Sequence, residues 1–191
     1  MTMLQRSRKT RAQAMVETAL IIPFLTLLTL GAADLGRAFY LHLEITGAAR
    51  AGMRTAIQGT GNDIGDALRS EPNSAILNDA TTWGSTGVGG TYDCNPGMIG
   101  HTCGDPGGCD TSAFATPGRL ACFAVRTCTI SSGACSSYGS WQSRPPGGGS
   151  GPTAVVVRGV YKLTPVTPLI GQFGSGGSFY LSEDSYGLEL Y

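Results

Sequence analysis

Six cysteines, Cys94, Cys103, Cys109, Cys122, Cys128 and Cys135, carry the most reactive chemistry in this sequence. Two outcomes are open to such a cluster, metal binding and disulfide formation. The intervening spacings are x8, x5, x12, x5 and x6, with no CxxC pair, and the one imidazole nearby is His101. Zinc sites draw on close pairs of ligands, so this pattern gives no metal site. An even number of cysteines in a short, loop-rich stretch predicts disulfides instead. The pairing stays open. Cys122 and Cys128 are six apart on an alternating segment, share a face, and so need other partners.

Other catalytic chemistry is sparse. The chain has two histidines, and Gly-x-Ser-x-Gly is absent. Gly174-Ser-Gly-Gly177 is turn-like and has no triad partners in view. Asp93, Asp105 and Asp110 sit among glycines without the spacing of a calcium loop, which predicts solvated loop acids. His42 has no second ligand at metal spacing and is expected to be a packed core histidine. No catalytic constellation and no cofactor site emerge, so an enzyme is not expected. Glu17 is unusual in another way: it is a carboxylate inside an apolar run. A carboxylate deep in lipid costs about 2.5–3.5 kcal/mol on insertion scales. It either reaches back to the headgroups or faces a partner charge.

The elements that must position these residues begin with an anchor. Of 191 residues 41% are hydrophobic and 14% charged, with 29 Gly, 10 Pro and a formal net charge of zero. That balance offers no surplus of cations to hold nucleic acid. Residues 1–12 form a basic leader with Arg6, Arg8, Lys9 and Arg11 and no acid. Ala14 to Ala33 then gives about 20 mostly apolar residues, roughly 30 Å as a helix, which matches the lipid bilayer core. Basic residues before the run predict an N-terminus in the cytoplasm and the rest outside. Pro23 falls inside it, and Thr26 and Thr29 are placed to return their hydroxyls to the preceding turn. Gly31-Ala32-Ala33 also offers a site for a signal peptidase, with Asp34 as the new N-terminus.

The residues after the run favour retention of the anchor. Leu35, Ala38, Phe39, Ile45, Ala49, Met53, Ala56 and Ile57 keep the helical period in one stripe, with Arg37, Glu44, Arg50 and Arg54 largely opposite. Residues 13–58 are thus expected to form one helix of about 70 Å. Ala32 and Gly36, then Ala48 and Gly52, are small pairs that permit close approach of another helix.

Residues 59–191 predict an exported Gly- and Cys-rich β domain. A short helix is expected through Arg69, with Ile64, Ala67 and Leu68 buried, and another turn at 74–80. Residues 83–118 form a long loop in need of crosslinks. Strands are expected at 120–130 and 154–163, with shorter ones at 178–182 and 187–191. The fold class is α+β: a long N-terminal transmembrane and amphipathic helix, then a small disulfide-rich antiparallel β domain packed on its outer half, pilin-like in arrangement.

Three blocks carry a family resemblance: Arg11-Ala-Gln-Ala-Met-Val-Glu-Thr-Ala-Leu20, Ala33-Asp-Leu-Gly-Arg-Ala-Phe-Tyr40 and Gly47-Ala-Ala-Arg-Ala-Gly-Met-Arg-Thr-Ala56. In this spacing they resemble the TadE-like family of pseudopilin-like proteins of tight-adherence (Flp) pilus systems in bacteria. A weaker similarity lies in Val155 to Tyr161 and Thr164 to Gly171, and residues 59–153 match nothing placed. The resemblance implies a membrane-anchored minor pilin or pseudopilin in pilus assembly. It implies partners in other pilins and pseudopilins through the helix, an inner-membrane assembly platform and a prepilin peptidase. It implies the inner membrane as location, with the protein either resident there or carried into the pilus. The alternative is an adhesin, tethered to the membrane or at the pilus tip, that binds through its disulfide-stapled domain.

The resemblance also implies cleavage between Ala12 and Gln13, five residues before Glu17. Ala12 stands where the family has Gly, and Thr18 where it has Phe or Tyr. After such a cut, Glu17 would meet the new α-ammonium of a neighbouring subunit at the same depth and order subunit docking.

Overall fold

The structure is a computed structural model that describes residues 3–57, 64–72, 77, 105, 107–115, 118–142, 153–174 and 176–188. Helix α1 runs from Met3 to Ile57 with Pro23 inside it. Helix α2 spans Ile64–Ser70, and a single 3-10 turn spans Thr111–Phe114. Strands β1 (Ala121–Ser131), β2 (Ala134–Tyr138), β3 (Thr153–Leu163) and β4 (Phe179–Leu188) follow, with the short helix α3 (Pro168–Gly171) between the last two. The strands form one antiparallel sheet in the order β2-β1-β3-β4. The α+β class holds.

Two compact units divide the chain: Met1–Arg37 with Thr164–Ser178, and Ala38–Leu163 with Phe179–Tyr191. In the second, the pleat sorts the strand residues. Odd positions Ala121, Phe123, Val125, Val155, Val157, Tyr161 and Leu163 join a core with Leu41, Ile45, Ala48 and Ala56 of α1 and Ile64 and Leu68 of α2. Fully burying side chains such as Phe123, Ile45 and Leu68 stabilises the fold by about 1.5–3 kcal/mol each. Two glycines set how closely helix and sheet approach. A Cβ on Gly159 would lie 3.1 Å from Ile45 Cγ1, and one on Gly187 would overlap the Met53 sulfur.

The buried stripe of α1 differs from the expected one. Leu35 and Phe39 are 73% and 64% exposed, whereas Leu41 and Ala48 are buried. The apolar side chains between residues 35 and 57 cover more than one face, so periodicity alone gave the stripe the wrong phase by part of a turn. Ile45, Ala49 and Ala56 are buried as expected, and Ala38, Met53 and Ile57 pack at the margin. His42 is half-buried rather than a core residue. Ala48 and Gly52 do admit a helix, and it is the chain's own α2: a Cβ on Gly52 would lie 2.8 Å from Leu68.

Other expectations move by small amounts. β1 and β3 stand where strands were expected. The two short strands expected at 178–182 and 187–191 are one strand, β4, because β3 pairs with it from Leu163↔Phe179 to Ala154↔Leu188 and carries the polar Ser182-Glu-Asp-Ser185 in register. β2 follows a two-residue turn in which Ser132 (φ 56°) and Gly133 (φ 80°) are both left-handed, the geometry that closes a tight hairpin. Ile64 and Leu68 of α2 are buried, with Ala67 half-buried. Of residues 74–80, Leu77 is described; it is helical and buried. Residues 83–104 lie outside the described residues.

Candidate membrane anchor and docking site

From Gln13 to Leu30 the apolar side chains of α1 have no protein over them. Met15, Val16, Leu20, Ile22, Phe24, Leu25 and Leu28 are all exposed, Leu20 by 74%. This stretch is long and apolar enough to cross a membrane, and none of its best window is buried. A contiguous apolar surface of this size on a folded chain calls for lipid or a partner. The polar groups within it are internally satisfied. Thr18 donates to the Ala14 carbonyl at 2.8 Å, Thr26 to Ile22 at 2.9 Å and Thr29 to Thr26 at 2.9 Å, so the two expected hydroxyl returns are present with a third. Pro23 withholds one backbone donor without ending the helix.

Gln13 and Glu17 stand one turn apart on this helix, and both side chains are exposed. The helical backbone continues through Ala12 to Met3. Gly36 is open, with nothing within 4 Å of where a Cβ would be.

Asp34 closes the apolar run and is buried. Its carboxylate accepts three hydrogen bonds: from the Val166 amide at 3.0 Å, the Thr167 amide at 2.8 Å and the Thr167 hydroxyl at 2.5 Å. Thr167 is the N-cap of α3 and makes no capping bond of its own. Asp34 therefore binds the two N–H groups just ahead of α3. One turn below Asp34, Ile170 of α3 lies 3.9 Å from the Cβ position of Gly31. Sequence reasoning gave Asp34 no such role. The available signal was that it is the sole acid between Glu17 and Glu44.

The cysteines resolve into two crosslinks among the described residues, Cys109–Cys122 and Cys128–Cys135. Cys122 and Cys128 indeed take different partners. Cys94 and Cys103 lie outside the described residues. Asp105, Cys109 and Cys122 bring their potential ligand atoms within 4.8 Å of one another, but both sulfurs are spent in the disulfide and supply no thiolate. Asp105 also departs from the expected solvated loop acid. It is buried, and its carboxylate accepts from the Gly107 amide at 2.8 Å. Asp110 caps the 3-10 turn through Ser112, whose hydroxyl holds the Asp110 carboxyl below the ordinary aspartate range. Asp93 lies outside the described residues.

The even-numbered face of the sheet carries a feature the sequence did not announce. Cys122, Ala124 and Val160 pack beneath Cys109, Ala113 and Phe114. Beside them the Arg126 guanidinium stacks on Tyr138 at 3.9 Å and on Trp141 at 4.1 Å, and Arg158 lies 4.6 Å from the same Trp141 ring. Arg158 also binds Asp184 in a two-pronged ion pair at 2.6 and 2.9 Å. Trp141 presses on Gly108, whose φ of +76° already favours glycine. These contacts hold the loop over the sheet.

No curated protein and no solved structure matches the chain. A family model described as TadE-like protein matches residues 12–54. That stretch holds Gln13, Glu17, the exposed apolar run and Asp34, and extends into the part of α1 that packs on the sheet. Over residues 12–54, then, the N-terminal helix is similar to the TadE-like family.

Proposed function

We propose that this protein is a membrane-anchored minor pilin or pseudopilin that takes part in assembly of a tight-adherence (Flp-type) pilus. One observation carries the reading: the segment that matches the TadE-like family is the helix whose apolar surface, from Met15 to Leu30, is bare of protein. The bilayer covers that surface before assembly, and the helices of other pilins or pseudopilins cover it afterwards. The leader faces the cytoplasm and the sheet lies outside, in keeping with the basic residues ahead of the span. A prepilin peptidase cuts between Ala12 and Gln13, and Glu17 then meets the new α-ammonium of a neighbour. The role is structural rather than catalytic.

The test is intact-mass analysis of the protein from the membrane fraction, joined to pilus counts in a strain that lacks it. The expected results are an N-terminus at Gln13 and loss or marked reduction of pili. A start at Asp34 with normal piliation would sink the reading.

An adhesive role is the second reading. The observation in its favour is the loop over the even-numbered face, which the Cys109–Cys122 disulfide and the packing of Trp141 on Gly108 fix in place. Replacing Cys109 and Cys122 together by Ala separates the two. Pili retained with attachment lost would favour adhesion, and pili lost would favour assembly.

A further inference from the structure

The segment Thr164–Ser178, between β3 and β4, belongs to the same compact unit as the anchor helix. It contains no Asp, Glu, Lys or Arg. Asp34 ties its start to the helix through Val166 and Thr167. The chain then descends. Ile170 lies against Gly31, three residues earlier on the helix and so about 4.5 Å nearer the middle of the apolar run. Beyond it the Phe173 amide bonds back to the Ile170 carbonyl at 3.1 Å, and the Phe173 ring is left 85% exposed. Val166 is 66% exposed. Two bare apolar side chains on an uncharged loop are thus held beside the end of a span that is itself bare.

We propose that this loop is a second membrane contact: Val166 and Phe173 enter the leaflet from which α1 emerges, at the boundary of headgroups and acyl chains. The inference rests on Ala14–Ala33 being a membrane span. Continuity decides the occupant. Lipid that surrounds Leu28 and Leu30 must also surround whatever lies against Gly31, and Ile170 lies there. An uncharged loop at the headgroup boundary meets no charge-burial penalty and can keep its polar groups toward water, whereas its neighbour Asp34 is withdrawn from lipid by its three hydrogen bonds. The anchor is then a helix with a foot, which fixes both its depth and its rotation about its own axis.

The experiment uses the full-length oxidised protein in phosphatidylcholine–phosphatidylglycerol vesicles. Single labels of an environment-sensitive fluorophore are placed at Phe173→Cys, Val166→Cys, Leu28→Cys and Thr129→Cys, and a lipid carrying a doxyl group near its headgroup serves as quencher. The expected result is blue-shifted, quenched emission at 173 and 166, comparable to that at 28, and water-like emission at 129. Quenching at 28 with water-like emission at 173 and 166 overturns the foot and leaves the span standing. No quenching at 28 overturns both. Blue-shifted but unquenched emission at 173 overturns the lipid contact in favour of a protein partner or a second copy of the chain.

Discussion

Asp34 and Thr167 are 133 residues apart in sequence, yet one carboxylate oxygen of Asp34 receives both the amide and the hydroxyl of Thr167, at 2.8 and 2.5 Å. The bond pair joins the C-terminal end of the apolar run to the loop before α3. Loss of the acid leaves two buried or half-buried N–H donors without this acceptor, and such a loss costs about 1.5–3 kcal/mol where one partner is charged. Asp34→Ala should therefore lower the detergent-solubilised protein's resistance to proteolysis within 164–178, with membrane insertion unchanged. Thr167→Val, which keeps the amide bond, should cost about 1 kcal/mol. Equal protease patterns for wild type and Asp34→Ala would remove the clamp.

Gly52 is set by α2 rather than by helix propensity. An alanine there would gain about 1 kcal/mol of propensity in α1. Its Cβ would fall 2.8 Å from Leu68, and overpacking costs about 1–3 kcal/mol. Gly52→Val, with two further methyls, should destabilise by about 2 kcal/mol or more. In a double-mutant cycle, Leu68→Ala should give back part of that loss, because it vacates the space the valine needs. Additive losses in thermal unfolding would show that the two side chains do not compete.

The disulfides should be closed and should matter. Alkylation without reductant should leave Cys109, Cys122, Cys128 and Cys135 unlabelled. Replacing Cys109 and Cys122 by Ala opens a loop with a sequence separation of 13 and should cost about 3 kcal/mol by the chain-entropy estimate. A denaturation midpoint unmoved by that double replacement would relieve the crosslink of any structural share.

Gly108 and Trp141 form a second tight pair. Gly108→Ala combines a left-handed backbone with a Cβ placed in the indole ring, and should destabilise by about 2 kcal/mol or more. Tryptophan fluorescence should report the displaced ring. An unchanged emission spectrum and an unchanged midpoint would contradict this packing.

Glu17→Ala tests the docking role. Insertion should be normal or slightly better, because a carboxylate leaves the apolar run. Piliation should fall. Full piliation would return Glu17 to a headgroup-seeking side chain.

Much of the architecture was legible because one helical period and one β-branched run dominate it. Val155, Val156, Val157, Val160 and Tyr161 make a β-branched and aromatic run that is buried on both faces, and β3 lies there. The unbroken helical pattern from residue 13 gave α1. The phase of its buried stripe was not legible, since Leu35 and Phe39 are as apolar as the residues that are buried; the position of the sheet decides between them. β2 was missed because Cys135-Ser-Ser137 has little strand propensity of its own and is held by its turn and by β1. Among the site residues, Glu17 stood out from its apolar surroundings. Asp34 did not, because its partners come from the far end of the chain.

That distance has a temporal side. At about 5–20 residues per second, synthesis delivers Thr167 roughly 7–27 s after Asp34. Throughout that interval the carboxylate lacks these three donors and must stay within reach of water, which in the proposed anchor would keep the nascent span from sliding further into the bilayer. When Val166 and Thr167 arrive, their amides and the Thr167 hydroxyl take the place of water at that carboxylate.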